Sequence, residues 1–187
     1  MKTNTRKMVL NSILLAMGLI LHQITPALGL PIQPDIALTM LFTIMILNKE
    51  DYKSCLFAGI ITGIFTALTT KFPAGQIPNI ADKIITVNIM YMFMLFMYKL
   101  SFIKKQNAKK QNIIVISAIL PVGTLISGCT FLSVAKVLVG LPGTFTTLFM
   151  VAVAPAILIN LIFGIFLFKT VSISMARVGY KSVNSKY

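Results

Sequence analysis

The stretch IADKIITVNIMYMFMLFMY, residues 80–98, is apolar along most of its length and breaks that pattern with an adjacent acid and base, Asp82 and Lys83. A helix rises 1.5 Å per residue, so about 20 apolar residues cross the roughly 30 Å hydrocarbon core of a bilayer. Further apolar runs lie on either side, at 8–28, 36–47, 55–70, 113–139 and 145–168. Of the 187 residues, 57% are hydrophobic and 11% charged, and the mean hydropathy of +0.89 is foreign to a soluble domain. Lipid offers no partner to an open backbone, so spans of this kind are helical. The expected fold is all-α and integral to the membrane: six transmembrane helices in one bundle, a single domain over 1–187.

The net charge of +13 would suit nucleic acid if it were spread over one surface, but it is sorted along the chain. Lys2, Arg6 and Lys7 precede the first run; Lys49 and Lys53 follow the second. Lys99, Lys104, Lys105, Lys109 and Lys110 follow the fourth, and Lys169, Arg177, Lys181 and Lys186 follow the sixth. Basic residues on alternate connections obey the positive-inside rule for an even number of spans, with both termini cytoplasmic. The excess is therefore read as topology and contact with anionic lipid, and nucleic acid is not an expected partner.

Other classes fit poorly. Lys2, Arg6 and Lys7 ahead of an apolar stretch imitate a signal peptide, but no clean small-residue cleavage site follows, and His22, Gln23 and Pro26 interrupt the run. Cys55 and Cys129 fall inside predicted spans and are expected as free thiols. One histidine and two isolated cysteines offer no metal-ligand spacing, and no phosphate-binding loop is present. Neither a cofactor nor a metal is expected, and an intramembrane enzyme lacks a nucleophile set beside a base.

The connections on the outer side differ in kind from the inner ones. GLPIQPDIAL (29–38) places Pro31, Gln33, Pro34 and Asp35 before a run too short to cross the hydrocarbon unaided. KFPAGQIPNIADK (71–83) holds two prolines, Gln76, Asn79 and the Asp82-Lys83 pair. Irregular backbone at membrane depth is tolerated where protein buries it or where it lines a wet cavity. A cavity on the outer side is thus expected, lined from His22, Gln33, Asp35, Lys71, Gln76, Asn79, Asp82, Lys83 and Lys136.

Each candidate has a plainer reading as well. Asn79 with Asp82 three residues on is a good helix start, the amide capping free N–H groups and the acid near the positive dipole end. Lys83 in that first turn opposes the dipole and calls for an acid or an anionic ligand. A helix start with free amides also suits a substrate carboxylate, as in the broken helices of transporters. Lys136 near a helix end could snorkel to the interface, and His22 beside Gln23 could be a satisfied polar contact. Gly59, Gly63 and Ala67 repeat at the spacing of close helix packing. Pro121 and Pro155 should kink their helices, and Asn88 and Asn160 are expected as buried amides that need partners. The Met run at 91–97 is expected as packing or lipid contact, with methionine also suited to an aromatic ligand.

TTKFPAGQIPNIADK (69–83), together with Pro34-Asp35 ahead of a Met-rich span, resembles the bacterial tryptophan transport protein family over nearly the whole chain. That family in turn resembles the substrate-binding subunits of energy-coupling-factor transporters. The resemblance implies uptake of L-tryptophan in a bacterial cell membrane, with the zwitterion held by Asp82 and Lys83, aided by Asn79 and Gln76. Asp35 or Lys136 would complete the charge balance, and Met and Phe side chains would flank the indole. It also implies a membrane subunit and ATPases as partners, docked through alanines four apart on helix 1. Here that face reads Ser12, Ala16, Ile20, so ATP coupling and independent transport both stay open. A substrate-binding subunit for another small nutrient, such as a vitamin, is the alternative.

Overall fold

The computed structural model describes residues 2–26, 33 and 35–177, and among these every regular element is helical. The long elements are α1 (Lys2–Ile24), α2 (Ala37–Leu47), α3 (Tyr52–Leu68), α4 (Gln76–Lys99), α6 (Ala108–Leu138) and α8 (Ala154–Arg177). Short pieces, α5 (Ser101–Lys104) and α7 (Phe145–Leu148), lie between, and a π-helical stretch, Phe149–Val153, joins α7 to α8. Each long helix overlaps one of the apolar runs, although α8 begins nine residues into the sixth run and ends nine residues beyond it. Residues 27 and 28 of the first run, together with Pro31, Pro34, Lys181 and Lys186, lie outside the described residues.

Length and hydropathy let Thr5–Ile24, Gln76–Lys99, Ala108–Leu138 and Phe145–Arg177 cross a membrane, whereas Ala37–Leu47 and Tyr52–Leu68 are shorter apolar helices. The brevity of α2 has a structural counterpart. Every residue from Ala37 to Ile46 is buried, and α2 packs against α1, α3, α6 and α8. A helix apolar on all sides belongs inside a bundle. At 1.5 Å per residue its 11 residues reach only about 16 Å, so its start lies well short of a full crossing.

Small residues let the other helices close around it. A Cβ on Gly59 of α3 would come within 2.6 Å of Val87 on α4, and one on Gly63 within 3.2 Å of the Lys83 Cβ. The Gly59–Gly63–Ala67 repeat therefore serves packing. Pro121 sits inside α6 without ending it. Pro155 lies two residues past the end of the π-helical stretch, whose wider turns accommodate the missing proline amide. Cys55 is buried and Cys129 half-buried, both as free thiols.

One end of the bundle is tied by polar contacts. Lys7 Nζ lies 2.5 Å from Asp51 Oδ2. Asn48 Nδ2 donates to Asn11 Oδ1 at 3.0 Å, and Tyr91 Oη to the Lys49 carbonyl at 3.0 Å. Asp51 also caps α3 by accepting from the Ser54 amide at 3.0 Å. The half-buried Asn88 lies nearby, accepting from Tyr52 Oη at 2.5 Å and donating to the Ile84 carbonyl. Along α1, His22 lies roughly 22 Å beyond Lys7 at helical rise, which carries it to the opposite end, where the cavity is.

Candidate functional site

The cavity lies among α1, α2, α4, α6 and the π-helical stretch, with about 590 Å³ of space between atoms, mouth included. Asp35 sits just ahead of α2, near the positive end of that helix's dipole. The side-chain amide of the buried Asn160 donates to the Asp35 carbonyl at 3.2 Å and to Thr124 Oγ1 at 3.1 Å, which pins the segment.

Lys83 is 1% exposed and stands between two carboxylates: its Nζ is 2.6 Å from Asp35 Oδ2 and pairs also with Asp82. Asp82 is fully engaged. Ser127 Oγ donates to its Oδ2 at 2.8 Å and Thr86 Oγ1 to its Oδ1 at 2.8 Å. Asp35 is not, because its buried Oδ1 has no hydrogen-bond donor. In their ordinary ionised forms, two carboxylates and one ammonium give this wall a formal negative charge.

Beside it, His22 is 3% exposed. Its Nδ1 lies 2.6 Å from Thr69 Oγ1, and the Gln33 amide nitrogen lies 3.0 Å from Nδ1, 2.9 Å from Nε2 and 3.1 Å from the His22 carbonyl oxygen. Gln33 Oε1 is buried without a donor. Much of the remaining lining is apolar. Phe72 and Phe131 meet edge to face at 5.3 Å between centroids, with Leu132, Ala152, Val153 and Ala156 around them. Gly128 also lines this end, where a Cβ would run into Val153.

Thus His22, Gln33, Asp35, Asn79, Asp82 and Lys83 converge on one cavity. Gln76 and Lys136 are exposed and do not line it. Lys71 is also exposed and donates to the Thr25 carbonyl at 2.5 Å. The helix start differs from the one expected at Asn79. α4 begins at Gln76, with Gly75 at its N-cap and no side-chain cap. Asn79 instead donates back to the Gly75 carbonyl at 2.8 Å. Pro78 is tolerated in a first turn, where its missing amide has no helical partner, so the helix extends through it. Asp82 and Lys83 therefore sit about two turns in, held by side chains rather than by the helix end.

Sequence reasoning overlooked Phe72, Phe131, Thr124 and Ser127 as lining. Phe72 belongs to the quoted FPAGQIPN segment, but nothing in the sequence aims its ring. The Met run divides into the buried Met94, the half-buried Met97 and the exposed Met92, and none of these three lines the cavity.

A cavity lined by both charged and aromatic side chains, among several long apolar helices, marks a multi-pass membrane protein. The chain belongs to the family described as "Tryptophan transporter TrpP", whose model matches residues 4–176. It is similar to a "Probable tryptophan transport protein" of Clostridium perfringens, 46% identical over 94% of this chain and 96% of the relative. Proteins of the same printed name from Clostridium acetobutylicum and Bacillus subtilis are 42% and 36% identical, over 95% and 94% of this chain and 98% and 96% of theirs. No solved structure matches the chain closely.

Proposed function

We propose that the chain carries L-tryptophan into a bacterial cell through six membrane spans, with both termini cytoplasmic and the cavity facing outward. The observation that carries the reading is the unpartnered, buried Oδ1 of Asp35 in a cavity that the Phe72–Phe131 pair also lines. A substrate ammonium supplies the donor and the positive charge that Asp35 lacks. The indole packs against the two rings. The carboxylate turns toward Asn79 and His22, because Lys83 is already shared by two acids.

Asp82 then acts as the counter-ion that positions Lys83, and Gln33 completes the wall beside His22. The tied, lysine-rich end at Lys7 and Asp51 supports an inward side that is closed while the cavity is open. Ser12, Ala16 and Ile20 form an exposed stripe on α1 without the paired alanines of an energy-coupling-factor docking face. The reading therefore takes the chain to work without that membrane subunit and its ATPases.

The test uses the absence of tryptophan from the chain. Indole emission from added L-tryptophan reports binding to purified protein with no tryptophan background. A saturable shift is expected, lost in Asp35→Ala protein that still folds. Saturable binding of a vitamin, with none of tryptophan, would sink the proposal.

A further inference from the structure

The charges of the cavity do not balance, and a neutral substrate does not correct them. Asp35 and Asp82 share Lys83, so the empty wall is negative by one charge. An amino-acid zwitterion brings one charge of each sign and leaves the sum unchanged. Uncompensated charge in a dry membrane interior is strongly disfavoured. The loaded site calls for one more positive charge.

His22 is placed to carry it. The Thr69 hydroxyl donates to the Phe65 carbonyl at 2.8 Å, so its oxygen, 2.6 Å from His22 Nδ1, accepts the Nδ1 proton. That leaves a lone pair on Nε2, while the Gln33 amide nitrogen lies across the ring, 3.0 Å from Nδ1 and 2.9 Å from Nε2. The ring is neutral in this arrangement, while Gln33 Oε1 is buried without a donor. A half-turn of the Gln33 amide would set Oε1, in place of its NH₂ group, against a protonated ring. The turn gives up the 3.1 Å bond from the amide to the His22 carbonyl and gains a charge-assisted one, roughly twice as strong as a neutral bond. The charged groups that act on the ring are Asp35 ahead of α2, Lys83 on α4 and Lys71 after α3. Lys83 is neutralised by its two acids, and Lys71 is turned onto the Thr25 carbonyl. Asp35 and the incoming carboxylate face the ring as anions.

We propose that each tryptophan enters with one proton, carried on Nε2 of His22, which neutralises the loaded cavity. The proton binds the Nε2 lone pair from the outer water, balances the substrate carboxylate, and passes to cytoplasmic water when the substrate leaves. His22 then returns to its neutral form. This rests on the cavity being the tryptophan site.

Proton uptake during binding tests the idea on the full-length protein in weakly buffered detergent, with a pH indicator and with sodium replaced by choline. Wild type at mildly alkaline pH should take up about one proton per tryptophan bound, and its affinity should fall about tenfold for each further pH unit. His22→Gln should bind more weakly and take up none. His22→Lys, with its charge already in place, should bind without proton uptake across the same range, which a purely structural histidine would not allow. If wild type binds tryptophan with no proton uptake, or only with sodium present, the proton proposal is overturned and the tryptophan site stands. If wild type does not bind tryptophan at all, both fall.

Discussion

Lys83 Nζ lies 2.6 Å from Asp35 Oδ2, joining the segment ahead of α2 to a point about two turns inside α4. The contact closes one side of the cavity and leaves the other Asp35 oxygen without a donor. Asp82, the neighbouring acid, has no such vacancy, since Lys83, Ser127 and Thr86 all donate to it. Two acids that look equivalent in the chain therefore have different work.

Replacing the shared cation should damage the fold. Lys83→Met leaves two buried carboxylates facing each other, and breaking such a network costs about 3–5 kcal/mol. Detergent thermal unfolding is expected to drop sharply. Lys83→Met combined with Asp82→Leu removes the pair together and should recover much of the loss. A double variant no more stable than the single one would contradict the assigned roles.

Asp35→Asn should spare the fold and harm the ligand site. The Lys83–Asp82 pair stays balanced, so the melting temperature changes little. Tryptophan affinity is expected to fall about a hundredfold, as for loss of a charge-assisted bond of roughly 2–3 kcal/mol. Equal losses of affinity and stability would count against a ligand-facing Asp35.

Phe131→Ala removes one ring of the edge-to-face pair. Loss of a buried aromatic contact of about 1.5–3 kcal/mol corresponds to roughly a ten- to hundredfold weaker affinity. Phe131→Leu should lose less. Titration of indole emission measures both, and unchanged affinity in Phe131→Ala would remove the indole from this wall.

The contact of α3 with α4 should respond to volume. A Cβ at Gly59 would lie 2.6 Å from Val87 Cγ1, so Gly59→Ala overpacks the seam at a cost of about 1–3 kcal/mol. Val87→Ala in the same chain opens the space and should restore part of the melting temperature. A strictly additive double variant would show that the helices do not meet there.

At the opposite end, the Asp51 carboxyl is held down to about 2, first by the hydrogen bond from Lys7 and then by the Ser54 amide. A depressed carboxylate stabilises the fold fully above its ordinary value of 3.8, and loses that contribution as pH falls through about 2. Stability from this group is therefore flat from pH 4 upward and falls only in stronger acid. Asp51→Asn should abolish that acid-side component, and an unfolding profile against pH measures it. A side chain this open to solvent makes the effect small.

Helix positions were legible because an apolar run of membrane length has few alternatives. The runs at 36–47 and 113–139 reappear as Ala37–Leu47 and Ala108–Leu138. The start of α4 was less legible, because Asn79 has the chemistry of a cap while Gly75 occupies the position. His22, Gln33, Asp35, Asn79, Asp82 and Lys83 could be selected as polar residues in an oily chain, yet Gln76 and Lys136 met the same description and face away. Polarity marks a candidate, whereas helix rotation decides its direction. Phe72 and Phe131 carried no signal, since one phenylalanine among thirteen resembles another until packing selects it.

By itself the sequence determined the helical segments, their apolar character and which ionisable groups are stranded among them, because the cost of open backbone and bare charge in lipid acts locally on each stretch. Only the tertiary structure decided that Lys83 answers to Asp35 as well as to Asp82, and that Ser127 completes Asp82. Asp35 lies ahead of α2 and Ser127 on α6, both far in sequence from the Asp82–Lys83 pair on α4, and the packing of glycine faces and the buried α2 sets how the helices turn toward one another.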